Sequence, residues 1–192
     1  SSRRGMASSG ARWWLDGEPR GPNHFNQAFL LEPTQPLDAA ALADAVAALL
    51  KHHDALRVRL ARGAAGWEQS FAVPGGDVPF SHVDLAHVPE GEQRAGLERA
   101  AAQTQQSLDL ARGPALRVAL FELGGGAQRL LVVIHPLAVD GVSWRILFED
   151  LWSAYAQRSR GEVISLRAKT TSFRRWAERL AEHARSEAVA RE

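Results

Sequence analysis

The 192-residue sequence has no cysteine, one methionine and one tyrosine. Without thiols there is no disulfide framework, no cysteine nucleophile and no thiolate metal centre. An excess of charge of one sign is missing too: 23 Lys plus Arg stand against 22 Asp plus Glu, for a net charge of +1. A nucleic-acid binder concentrates basic side chains to neutralise phosphates, so no nucleic-acid partner is expected. No apolar run reaches the ~20 residues of a membrane helix, and the opening SSRRGMASSG lacks the apolar stretch of a secretory signal. A cytoplasmic location with no membrane partner is the expectation. What is present is the balance of a globular protein, 45% apolar and 23% charged residues, on a chain long enough to bury a core unaided. Residues 1–11 read as a flexible lead-in and 12–188 as a single lobe.

Periodicity and punctuation divide the chain. Phe25 to Leu31 is an apolar run of strand length. Asp38 precedes an alanine- and leucine-rich stretch in which Leu42, Val46, Leu49 and Leu50 share a helical face, with Asp38 as its N-cap. Leu56 to Leu60 alternates at period two, and after Arg-Gly-Ala-Ala-Gly the chain returns through Trp67 to Ala72, a hairpin signal. Pro89 and Glu90 open a helix to about Leu110. Ala115 to Leu123 and Arg129 to Ile134 flank the turn Gly124 to Gly126, and this hairpin is apolar enough to lie centrally in a sheet. A third helix follows Asp140, with Val142, Ile146, Leu147, Leu151 and Tyr155 on one stripe. After a linker from Arg160 to Thr171, a last helix covers about Ser172 to Ser186. The expected fold is α/β: a two-layer sandwich with a mixed or antiparallel sheet and helices on one face.

Chemistry is sought first where the apolar strand ends at His135 and the helix begins after Asp140, the mouth between a strand and a helix N-terminus. The residues there also allow a structural reading, with Asp140 and Ser143 as a helix cap and His135 as a core histidine. Ser143, His135 and Asp140 form no hydrolase triad, because there is no nucleophile-elbow pattern. His52-His53-Asp54 are adjacent side chains that point in different directions and cannot all face one ion, so no metal is expected. Gly124 to Gly126 has no following lysine and is a turn, not a phosphate loop. Trp13, Trp14, Trp67, Trp144, Trp152 and Trp176 stand among apolar residues and read as packing anchors.

The segment His135 to Leu151 (HPLAVDGVSWRILFEDL) resembles the active-site motif of the condensation superfamily of nonribosomal peptide synthetases, and most closely its epimerization branch. Asn23 to Pro33, His52 to Arg59 and Lys169 to Leu180 are similar to further blocks of that branch, in the same order. The resemblance implies one lobe of a two-lobed architecture, each lobe similar to chloramphenicol acetyltransferase. It also implies partners: a peptidyl carrier protein delivering substrate on its phosphopantetheine arm, neighbouring synthetase domains, and docking of a C-terminal lobe or a tailoring enzyme. No cofactor is expected to bind directly.

Residue by residue, the resemblance places His135 at the first motif histidine, Asp140 at the aspartate, Gly141 at the glycine, and Ser143 and Trp144 in the Val-Ser-Trp-Arg sequence. It implies a structural ion pair between Arg57 and Asp140. Pro136 occupies the place of the second histidine, the principal proton-handling group of the branch. Epimerization removes an α-proton and returns it to the opposite face, so it needs an acid and a base. The expectation is a degenerate lobe, inactive as an isolated chain, that serves as a structural or docking element. The alternative is half of an active L-to-D epimerization domain completed by a C-terminal lobe in trans.

Overall fold

The computed structural model describes residues 4–6, 23 and 26–168. In chain order the elements are β1 (Arg4–Met6), β2 (Gln27–Leu31), α1 (Ala39–His52), a 3-10 turn (Asp54–Arg57), β3 (Val58–Gly63), β4 (Gly66–Phe71), β5 (Phe80–Asp84), α2 (Glu90–Gln106), β6 (Leu116–Glu122), β7 (Gln128–Ile134) and α3 (Gly141–Ser159). The strands form two sheets. A four-stranded sheet has the order β2-β7-β6-β5, with β5 parallel to β6 and the other pairs antiparallel. A three-stranded sheet has the order β1-β4-β3 and is antiparallel throughout. The expected mixed α/β fold is what the chain adopts. Three residues of the segment read as a lead-in, Arg4–Met6, instead supply the outer strand of the small sheet.

The central hairpin sets the core. Leu116, Val118, Ala119, Leu120 and Phe121 of β6 and Leu130 to Ile134 of β7 are all buried, so both faces of this hairpin are covered. Its connection turns through Gly125 and Gly126 at φ 68° and 77°, the left-handed region that glycine enters without steric cost. Parallel strands need a crossover, and α2 provides it between β5 and β6. β5 escapes the hydropathy pattern because it is five residues long, closely preceded by Pro79, and mostly exposed along its length.

α1 begins as its sequence demands: the Asp38 carboxylate accepts a hydrogen bond from the Ala41 N–H at 2.7 Å. Ala41, Leu42, Ala45, Val46 and Leu49 form its buried face. α3 packs beside α1, and polar clips join the two. The Tyr155 hydroxyl accepts from the Asp38 N–H at 2.9 Å, and Arg158 pairs with Asp44 at 2.6 Å.

Further expectations about elements are corrected. The helix expected to reach about Leu110 ends at Gln106. The first hairpin starts at Val58, because Asp54–Arg57 coil into a 3-10 turn that closes the end of α1. On α3 the stripe is rotated: Trp144, Leu147, Leu151 and Ala154 are buried, whereas Val142 and Ile146 face solvent. The helix carries apolar residues on more than one side, so periodicity offered two faces and packing against α1 and β2 selected one. Trp13, Trp14, Trp176 and the last expected helix lie outside the described residues.

Candidate functional site

β7 delivers His135 to the edge of the core. Its backbone N–H donates to the Ala115 carbonyl at 3.0 Å, and its side chain is fully buried. His135 Nδ1 accepts from the Leu137 N–H at 3.1 Å, which makes Nε2 the protonated nitrogen of the neutral ring. Pro136 is the exposed residue that follows, and the loop then turns inward through the buried Ala138 and Val139. The 2.9 Å bond from the Ala138 N–H to the His135 carbonyl closes this turn.

Asp140 opens α3. Its carboxylate accepts from the Ser143 N–H at 2.7 Å. Hydrogen bonds from the Ser143 side chain, then from the Ser143 backbone, hold its pKa below the ordinary carboxylate value. The capping reading of Asp140 and Ser143 therefore describes the structure, and Gly141 is the exposed first residue of the helix. Trp144 is buried, and its indole N–H donates to Gln27 Oε1 at 2.6 Å. Phe29 meets the same ring edge-on at 4.7 Å, and Phe148 stacks on it at 5.5 Å. Gln27, Phe29 and Phe148 thus fasten edge strand β2 to the start of α3. Sequence reasoning missed the contacts of Gln27 and Phe29 with α3, which join residues more than a hundred positions apart.

The expected Arg57–Asp140 ion pair does not form. Arg57 Nε donates to the Ala72 carbonyl at 2.9 Å, and its Nη1 donates to the carbonyls of Leu50 at 2.7 Å and Lys51 at 3.1 Å. Partial burial lowers its pKa, and the charge of Asp54 opposes that shift. Arg57 lies at the C-terminal end of α1, where free carbonyls concentrate and attract a cation. Asp140 stands at the opposite kind of helix end, on α3, and is satisfied by that helix's own first turn. His52, His53 and Asp54 also part company: the Asp54 carboxylate turns back to the Ala55 N–H at 3.1 Å and is buried, while the two imidazoles lie together, 4.9 Å apart at 79°.

The motif loop of the structure is thus a strand-to-helix junction with a buried neutral imidazole, a proline at its exposed corner and an aspartate that caps. A family model described as "Condensation domain" matches residues 10–192. The chain belongs to the condensation-domain family. A linear gramicidin synthase of Brevibacillus parabrevis is 47% identical over 176 residues, covering 91% of this chain and 3% of that protein. Chondramide synthase of Chondromyces crocatus is 44% identical over 170 residues, covering 88% of this chain and 4% of its own length. This condensation-family chain therefore spans a small fraction of either synthase. Among solved structures, the epimerization domain from the third module of tyrocidine synthetase B superposes with a TM-score of 0.84 at 36% identity. That match covers 97% of this chain and 42% of the epimerization domain.

Proposed function

We propose that this chain is an epimerization-type lobe of a peptide synthetase whose motif loop has become structural, so that it works as a docking or scaffolding element and not as a catalyst. The observation that carries this reading is Pro136. It sits at the exposed corner next to the buried His135, the position at which the branch is expected to present its proton-handling histidine. Proline offers neither acid nor base, and loss of a positioned proton carrier typically costs about 10²–10⁴ in rate. The neighbouring groups support a structural reading: His135 is buried with Nδ1 accepting from a backbone N–H, and hydrogen bonds from Ser143 lower the pKa of the capping Asp140.

The partners of such a lobe are a carrier protein with its phosphopantetheine arm and the adjoining synthetase domains. The likeness to an epimerization domain over 97% of this chain supports that choice of partner. The test is α-proton exchange. A carrier-bound L-aminoacyl thioester is incubated in deuterated water with this chain, alone and together with an added C-terminal lobe of the same branch. No deuterium enters the α-position in either mixture. Exchange that requires both the added lobe and His135 would establish the alternative, half of an active L-to-D epimerization domain, and end the scaffolding reading.

A further inference from the structure

We propose that His52, His53 and Asp150 form a binding site for one divalent transition-metal ion of the zinc type, tying the end of α1 to α3. The candidate ligand atoms of these three residues lie within 4.8 Å of one another, and all three side chains are partly buried. Adjacent residues on one helix diverge by about 100°, which is why the sequence alone speaks against a shared ion. His53, however, has left the helix. Its φ of −97° and ψ of 100° are extended, and this turns its ring to the side on which His52 stands. Asp150 arrives from α3, with Oδ2 at 2.6 Å from His53 Nε2. The third ligand is therefore not the neighbouring Asp54 but a carboxylate 97 positions from His53.

The donor set selects the ion. Two imidazoles and one carboxylate suit zinc, copper or nickel, whereas magnesium and calcium favour all-oxygen sites. A tetrahedral zinc with bonds of about 2.0–2.1 Å places its ligand atoms ~3.3 Å apart. Reaching that arrangement requires the His53–Asp150 contact to open slightly and His52 to close in, both by side-chain torsions, with water in the fourth position. A His–Asp hydrogen bond joins His53 to Asp150 and an edge-on ring contact sets His52 beside His53, so three donors converge on one spot.

The test is calorimetric titration of the full chain, without a histidine tag and stripped with chelator, using zinc chloride alone, with melting curves in parallel. The expected result is one saturable site and a melting temperature that rises with zinc concentration. His52→Ala, which leaves the His53–Asp150 bond in place, weakens binding at least about tenfold, in line with the loss of metal-site groups elsewhere. His82→Ala, at an exposed histidine paired with Glu122, leaves the isotherm unchanged. No saturable uptake by the wild-type chain, or uptake unaffected by His52→Ala, overturns the proposal.

Discussion

The guanidinium of Arg57 and the carboxylate of Asp140 both answer to backbone groups. Arg57 serves three carbonyls around the end of α1, and Asp140 serves the first turn of α3. Removing the arginine takes a charged donor from those carbonyls, so Arg57→Ala costs about 1–3 kcal/mol. Asp140→Ala removes a cap and costs about 1 kcal/mol, a fall of ~2–4 °C in melting temperature for a chain of this size. Because the two share no partner, the double variant loses the sum of the single losses to within about 0.5 kcal/mol. A coupling well above that in a double-mutant cycle would reinstate the ion pair. The pH dependence of Asp140 has a definite sign. Its pKa is depressed in the fold, so its contribution is complete above the ordinary value of 3.8 and fades as the pH falls below it. The stability gap between wild type and Asp140→Ala therefore narrows in acid, as denaturation curves at pH 7 and pH 3 would show.

Among the elements, α3 shows how far pattern reading reaches. Its start was legible, because Asp140 and Ser143 carry the capping signal within one turn. Its buried face was not, because Val142 and Ile146 are as apolar as Leu147 and Leu151, and hydropathy ranks all four alike. Packing separates them: Leu151 is 1% exposed and Val142 69%. Leu151→Ala accordingly costs about 2–5 kcal/mol, whereas Val142→Ala changes stability by no more than about 0.5 kcal/mol. Equal losses at the two positions in chemical denaturation would contradict the observed orientation of the helix. α1 behaves differently, since its alanine-rich sequence leaves a single apolar stripe to bury and Asp38 marks its first turn.

Across the whole molecule, stability concentrates in the β6–β7 hairpin. Both of its faces are covered, whereas β4 of the small sheet is only half-buried throughout. Local opening needs least energy where few apolar contacts are lost. The slowest amides in native-state hydrogen exchange are therefore those of β6 and β7, and those of β4 exchange sooner. Protection of β4 equal to that of β7 would mean that the two sheets open only together. Interactions that cross the molecule are also those that the sequence concealed. Gln128 accepts from the Leu37 N–H at 2.7 Å and donates to the Leu37 carbonyl and to Glu122. Trp144 reaches Gln27 in the same way.

Local residue patterns were enough for the elements whose causes lie within a few residues: the caps at Asp38 and Asp140, the two hairpins, the glycine turn and the apolar central strands. The sequence also carried the likeness to condensation domains that the family match over residues 10–192 bears out. The carbonyls that Arg57 serves, the buried side of α3 and the meeting of Asp150 with His52 and His53 emerge only in the folded chain. Those outcomes depend on how α1 lies against α3 and β2. Such non-local packing is set by the shapes of surfaces brought together from distant parts of the chain, and no local pattern of residues encodes it.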